Sequence, residues 1–390
     1  MTANAGHAAN IQHHCFKESA LELKEHYHTV VVGAGPAGVM ASIYASAAGD
    51  VLLVDAMSMP REKSCGGMLN EYAQAFLRDI ARIPNNIICD PEWINFRFYD
   101  WDREIRKATS LRFMNVDRVG FDDWLMSMLP GNVDILPQTS FVTCEQNDFG
   151  VTVALKPAAP GTAAEETKVH CAYLIGCDGP RSTVRRSLPV TQLALYKTLQ
   201  EFLPSAESPE PYFDCVYSRN IGDNYGYGYV IPKGDSTIIG SVFYPGSPNC
   251  LENHLKAIDE FRKYFHYGTE QTRKREAWTA VKVTSVKDIV GGHGRVLLAG
   301  EAGGIMSPSS GEGISFAMNS GKLAGIAVTE ASRSTTESKT AVDRYRASLK
   351  PIKNNIARRL RYFPVLNSNW GKWLGGSSPN FLVDIVAHRI

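Results

Sequence analysis

The densest chemical signal in this sequence is Gly33-Ala34-Gly35-Pro36-Ala37-Gly38. In such a run Gly33 permits a tight turn, Gly35 lets backbone approach a pyrophosphate, and Gly38 lets a helix pack closely on the strand before it. The phosphates would rest on the N-terminus of a helix that Pro36 and Ala37 begin. Asp55 ends the next apolar run, at the distance where an acid accepts hydrogen bonds from an adenosine ribose. A tight βα turn with a structural aspartate is the alternative. The strand before, the helix after and the acid beyond all agree on a dinucleotide site, which these residues leave open between NAD and FAD.

The elements that must position these residues are legible around them. Tyr27 to Val32 is a β-branched apolar run that reads as a buried strand, Pro36 to Ala48 as a small-residue helix, and Val51 to Asp55 as a second buried strand. This opening is a parallel α/β unit. Met57 to Met68 reads as a loop, Asn70 to Arg82 as a helix, Trp93 to Trp101 as strand-rich, and a further helix begins near Gly120. Phe141 to Cys144 and Val151 to Leu155 form a hairpin, Pro157 to Glu166 is a surface loop, and Val169 to Ile175 is a strand entering Gly176-Cys177-Asp178-Gly179. Strand formers and aromatics dominate Tyr212 to Tyr244, with a helix near Leu251 to Tyr264. Arg295 to Ala299 is a buried strand, and a long helix starts near Gly313. The last fifty residues read as mostly helical, with a basic face from Lys350 to Arg361.

Two later segments separate the cofactors. Cys177-Asp178-Gly179-Pro180-Arg181-Ser182 resembles the Asp-Gly motif of flavin hydroxylases, and Val296 to Gly303 resembles their second FAD motif, in which a carboxylate at a strand end binds the ribityl chain. Here that carboxylate is Glu301, one methylene longer than the usual Asp, so its ribityl contact is expected to shift or pass through water. The stretch Gly300 through Pro308, Gly311-Glu312-Gly313-Ile314 and Ser320-Gly321 resembles the geranylgeranyl reductase family of flavoproteins. Lys63-Ser64-Cys65-Gly66-Gly67 is similar to that family's Lys-Pro-Cys-Gly-Gly stretch beside the flavin. Arg118-Val119-Gly120-Phe121-Asp122 is similar to its Arg-x-x-Phe-Asp element, whose Arg reaches the cofactor. Tyr227 to Pro232 is similar to its Tyr-x-Trp-x-Phe-Pro motif on the substrate side.

The resemblance implies a Rossmann-like FAD-binding domain of α/β class, an antiparallel-sheet substrate domain and a helical C-terminal region. The expected division is a flexible extension over 1–25, an FAD domain over 26–80, 105–190 and 286–335, a substrate domain over 81–104 and 191–285, and C-terminal helices over 336–390. It further implies noncovalent FAD and a hydride passed to a carbon–carbon double bond of an isoprenoid or similarly apolar small molecule. The helix near Gly313 would turn its positive end to the flavin and stabilise the reduced form. The electron donor is expected to be NAD(P)H or ferredoxin, and no second nucleotide-binding βαβ unit is evident. A flavin monooxygenase or halogenase is the second expectation, because Gly226 to Pro232 is also similar to the halogenase pattern Gly-Trp-x-Trp-x-Ile-Pro. A flavin- or lipid-binding protein without turnover is the third. Cys65 is either a proton donor or positioning group, or a small hydrophobe packed beneath the flavin. Tyr225, Tyr227 and Tyr229 alternate as on one face of a strand, where with Pro232 they either line a substrate pocket or pack a sheet.

Composition narrows the field. The chain has 390 residues, 44% of them apolar, and 41 Lys and Arg against 40 Asp and Glu leave a charge of +1. That excludes a disordered chain and a polycation built for nucleic acid. Cys15, Cys65, Cys89, Cys144, Cys171, Cys177, Cys215 and Cys250 form no metal or disulfide spacing, which fits a reducing cytoplasm. Thr29 to Gly49 is interrupted by glycines and Pro36 and is too short for a membrane helix. His13, His14, His26 and His28 read as a solvated tail rather than a metal site. Trp370, Trp373, Phe381 and Leu382 suit a docked helix, with peripheral membrane contact as the alternative.

Overall fold

The structure is a computed structural model that describes residues 22–158, 165–205, 210–222, 225–265, 272–334 and 340–367, with side chains described as far as Arg361. His13, His14, Trp370, Trp373, Phe381 and Leu382 lie outside the described residues.

The described chain opens with β1 (His26–Val32), α1 (Pro36–Ala45) and β2 (Val51–Val54). It then leaves through β3 (Met68–Leu69), α2 (Glu71–Arg78) and the hairpin of β4 (Ile88–Asp100) and β5 (Ile105–Val116). It returns through α3 (Arg118–Met126), β6 (Val133–Leu136), β7 (Thr139–Gln146), β8 (Val151–Pro157), β9 (Thr167–Gly176) and α4 (Thr183–Arg186). A second excursion holds β10 (Ala194–Pro204), β11 (Tyr212–Tyr217), β12 (Tyr225–Lys233), β13 (Ser236–Phe243), α5 (Cys250–Phe265) and β14 (Lys274–Lys282). The last return is β15 (Gly292–His293), β16 (Val296–Leu298) and α6 (Ile314–Arg333), followed by α7 (Ala341–Ser348) and α8 (Lys350–Asn367).

The returns build one sheet and the excursions another. The first sheet runs β15-β16-β9-β1-β2-β6, with β7 and β8 as an antiparallel extension of β9. From β16 through β6 the neighbours are parallel. Parallel strands are covered on both faces, which is why these segments read as unbroken apolar runs. Val30, Val32, Leu52 and Val54 pack against the β7–β8 side, while Val31, Val51 and Leu53 pack beneath α1 and α6. Glycines let α6 lie directly on α1: a Cβ at Gly321 would stand 2.0 Å from the Ala37 carbonyl oxygen.

The second sheet runs β14-β10-β13-β12-β11-β4-β5-β3 and is antiparallel except where β11 meets β4. One face is sealed by α5 through Phe243, Ala257, Ile258 and Phe261. The other holds Ile94, Ile231 and Ile238, with Tyr229 and Phe213 against them. The expected boundary at residue 104 falls inside the β4–β5 hairpin. That hairpin pairs from Ile88 with Val116 to Asp100 with Ile105, so residues 105–116 belong to the second sheet. Turn propensity locates a hairpin, whereas only pairing shows which sheet it joins.

His26 and His28 are part of β1 rather than of a tail; His26 stacks on His170 at 5.3 Å, and His28 Nε2 is 2.6 Å from Ser332 Oγ. Among the described residues no helix is long and apolar enough to cross a membrane.

Candidate functional site

The glycine turn is built on close backbone approaches. Gly33 sits at φ +101°, and a Cβ there would lie 2.4 Å from the Cys177 carbonyl oxygen. The turn at the end of β1 is therefore packed against the turn at the end of β9. A Cβ on Gly38 would stand 1.7 Å from the Gly33 carbonyl oxygen, so α1 leaves the strand with no space for a side chain. Pro36 occupies the first turn of α1, where its missing N–H costs nothing.

Asp55 is buried and already held. The Ala34 N–H donates to its Oδ2 at 2.7 Å and the Met57 N–H to its Oδ1 at 2.8 Å. Its first task is to fasten the glycine turn to the loop after β2. Asp178 is held in the same way: its carboxylate accepts from Ser182 Oγ at 2.5 Å, Thr183 N–H at 2.6 Å and Val184 N–H at 3.1 Å. It caps α4, and burial raises its pKa in spite of these donors. Nearby, Arg185 donates to the carbonyls of Thr191, Ala302 and Asp288, joining the Asp178 turn to the segment after β16. Burial lowers the Arg185 pKa to about 10.

The loop that follows β2 carries the charged centre of the site. Arg61, with a side chain 10% exposed, lies over the glycine turn: a Cβ at Gly35 would be 2.9 Å from its Nη1. Its guanidinium stands 3.5 Å from Asp55 Oδ2 and 3.8 Å from Asp122 Oδ2, while its buried Nε has no hydrogen-bond partner among the described residues. A guanidinium whose Nη1 stands beside the glycine turn at Gly35 fits a phosphate oxygen. No spacing rule marks Arg61, which sits in a stretch that reads only as loop.

Arg118 opens α3 behind the Asp117 cap, which accepts from the Gly120 N–H at 2.6 Å. Its guanidinium is forked on Asp122, with Nη2 at 2.9 and 2.8 Å from the two carboxylate oxygens. The Cys65 sulfur lies within its electrostatic reach and acts to raise the Arg118 pKa. Burial alone would raise the Cys65 thiol, but Arg118, the Gly67 N–H and Lys63 outweigh it and hold its pKa below the ordinary value. Cys65 is half-buried. Gly66 and Gly67 follow because space is lacking: a Cβ on Gly66 would stand 2.7 Å from Ile231 Cδ1, and Gly67 has φ +60°.

Glu301 is bound by Lys63 at 3.0 Å and by the Val281 N–H at 3.1 Å. Its extra methylene thus reaches both the Cys65 loop and β14, joining the two sheets at this point. Gly300 N–H donates to Ser320 Oγ of α6 at 2.9 Å. Gly313 precedes Ile314 at the start of α6, and Glu312 accepts from the Ser315 N–H at 2.9 Å. A Cβ at Gly311 would meet the Tyr227 hydroxyl at 3.4 Å, so β12 of the second sheet faces the segment leading into α6.

Of the three tyrosines, the structure brings Tyr227 and Tyr229 together, ring centroids 6.4 Å apart, on the face that also carries Ile231. Tyr229 donates to Gln200 Oε1 at 3.0 Å. Tyr225 is not with them. A register shift between Tyr225 and Tyr227 turns it to the other face, where it packs on Phe243 and beside Phe261. The expectation that all three share one face is corrected by that bulge, since one extra residue reverses the alternation. Pro232 is buried at the end of the same strand, where its carbonyl accepts from Asn115 Nδ2 at 2.9 Å.

Residues 26–203 match the family model for an FAD binding domain. Protein CbrA of Escherichia coli strain K12 is 28% identical over 302 residues, covering 76% of this chain and 82% of that protein. Among solved structures, a geranylgeranyl bacteriochlorophyll reductase-like protein from Thermoplasma acidophilum superposes with a TM-score of 0.76 at 19% identity, covering 90% of each chain. The flavin-dependent brominase Bmp2 superposes with a TM-score of 0.69 at 17% identity, covering 93% of this chain and 92% of that one. At these identities the superpositions establish the fold. The matched domain spans the glycine turn, Asp55, Arg61, Cys65 and Arg118, and FAD is the cofactor.

Proposed function

We propose that the protein reduces carbon–carbon double bonds of an isoprenoid or similarly apolar small molecule. The observation that carries this reading is the Cys65–Gly67 turn packed on β12, where a Cβ on Gly66 would stand 2.7 Å from Ile231 Cδ1 on the face that also carries Tyr229. Bound noncovalently and reduced by NAD(P)H or ferredoxin, FAD supplies the hydride. The chain supplies everything else. Tyr227 and Tyr229 give an apolar wall against which an alkene lies flat, and their hydroxyls stay protonated because burial raises both pKa values far above the ordinary range. Cys65 gives its proton to the carbon that does not receive hydride. The thiolate left behind is stabilised by Arg118, the Gly67 N–H and Lys63, and regains a proton from water. The likeness to the Thermoplasma protein supports the reductase reading.

A flavin monooxygenase or halogenase is the second reading, favoured by the likeness to the brominase. The two part over oxygen. The protein is reduced chemically under nitrogen and mixed with a polyprenyl substrate, and the flavin spectrum and product mass are followed. Return of the oxidised spectrum without oxygen, with a gain of about two mass units per double bond, is the expected result. Conversion only after air is admitted, with a gain of about sixteen, would establish the second reading instead.

Arg61 is assigned to the FAD pyrophosphate, opposite Gly35. Arg61→Ala is expected to weaken FAD binding roughly tenfold to a hundredfold, the worth of one charge-assisted hydrogen bond. The denaturation midpoint of the apoprotein should stay near wild type. An unchanged dissociation constant in a fluorescence titration would remove Arg61 from the phosphate site.

A further inference from the structure

Lys233 ends β12, the strand that carries Tyr227 and Tyr229, and its ammonium reaches β5 and the Cys65–Gly67 turn. It lies 2.5 Å from Asn115 Oδ1 and 2.8 Å from the Val116 carbonyl oxygen, both on β5, and 3.3 Å from the Gly67 carbonyl oxygen in the Cys65 turn. All its N–H groups are thereby directed to uncharged oxygens. The same turn is locked from the other side, because Val116 N–H donates to Gly67 O at 2.8 Å and a Cβ on Gly67 would stand 2.8 Å from Lys233 Nζ. A lysine hydrogen-bonded to neutral oxygens brings a positive charge to the place it occupies, which Asp117 offsets in part.

The charged and titratable groups around it are few. Cys65 of the turn, Cys89 of β4, Asp117 before α3 and Arg118 of α3 face the ammonium. Burial lowers the Lys233 pKa, while Cys89, Cys65 and Asp117 act to raise it. Cys65 in turn faces Arg118, Lys63 and Tyr229.

We propose that Lys233 is a positioning residue of the redox site, which ties the Cys65–Gly67 turn to β5 and β12 and adds its positive charge to that of Arg118 at the Cys65 sulfur. The substrate strand and the acid of the site are then one mechanical unit, so that the tyrosine wall and the thiol keep their spacing. This inference rests on reading Cys65 as the acid of double-bond reduction, yet its test uses no alkene. Absence of reductase activity would remove that reading and leave the coupling of Lys233 to Cys65 to be measured.

The probe is iodoacetamide, applied to the FAD-loaded protein from about pH 5 to about pH 10, with modification of Cys65 followed by mass spectrometry of its peptide. Lys233→Met is expected to move the midpoint of that profile up by about one unit, which slows modification near neutral pH about tenfold. Lys233→Arg should bring the midpoint most of the way back. A lysine that merely fills space would change stability and leave the midpoint where it is. A folded, FAD-loaded Lys233→Met protein with the wild-type midpoint overturns the proposal. So does loss of folding in both Lys233→Met and Lys233→Gln, which would make the residue a structural strut.

Discussion

Gly38→Ala is expected to abolish measurable FAD binding and to lower stability by about 3 kcal/mol or more, at the upper end of overpacking effects. The added methyl carbon would have to occupy a point 1.7 Å from the Gly33 carbonyl oxygen, and both atoms belong to backbone. No rotamer change relieves that. Either α1 lifts off the sheet or the Gly33 turn opens, and each movement distorts the glycine turn proposed to hold the pyrophosphate. Lifting α1 also disturbs α6, because the Ala37 and Ala41 carbonyls lie against Gly321 and Gly325. Gly35→Ala is the informative control. Its methyl carbon would meet only the end of the Arg61 side chain, at 2.9 Å, and that side chain can swing away. Urea denaturation and FAD titration of the two variants should therefore separate: Gly38→Ala loses fold and cofactor together, and Gly35→Ala loses affinity with little loss of fold. Normal FAD affinity in Gly38→Ala would mean that the close contact between helix and strand is not what shapes the site.

Arg118→Ala is expected to destabilise the protein by about 3 to 5 kcal/mol, the usual cost of leaving one member of a buried ion pair alone. Asp122 has a side chain only 3% exposed and takes both of its short contacts from this guanidinium. Arg61, at 3.8 Å, is too distant to replace the fork. The same substitution removes the charge that does most to lower the Cys65 thiol, so the thiol pKa should rise as the fold weakens. Replacing both partners by leucine should recover most of the lost stability, because apolar groups of similar volume leave no buried charge unpaired. Chemical denaturation of the single and double variants measures this directly. Equal midpoints for Arg118→Ala and wild type would show that water reaches Asp122 and that the pair contributes no more than a surface salt bridge.

The parts of this molecule governed by neighbours in sequence are legible in sequence. Strand β1, the glycine turn, α1 and β2 announce themselves because a buried parallel strand must be apolar throughout and because only glycine fits where a Cβ would stand 2.4 Å or less from a backbone oxygen. The starts of α2, α3 and α6 are equally local, fixed by Asn70, Asp117 and Gly313. Which residues do the chemistry is less local. Arg61 and Lys233 sit at unremarkable positions, and their importance comes from what folding brings beside them: Gly35 and Asp55 for one, Gly67, Asn115 and Val116 for the other.

Sequence by itself determined the FAD-binding unit, since the glycine turn after β1 is a matter of backbone geometry that glycine placement dictates within a few residues. It also determined that aromatic strands follow, since their residue types suit a pleated, half-buried surface. Tertiary structure alone decided that Tyr225 faces α5 rather than the site, because a single bulge in β12 reverses alternation and nothing in Tyr-Gly-Tyr-Gly-Tyr records where the register slips. It alone decided that Asp178 caps α4 and that Glu301 joins Lys63 and β14, because a carboxylate's partners are whichever donors the fold delivers. The charge around Cys65 is of the same kind. Electrostatic effects depend on distance in space, and Lys63, Arg118 and Lys233 reach the site from three separate stretches of chain.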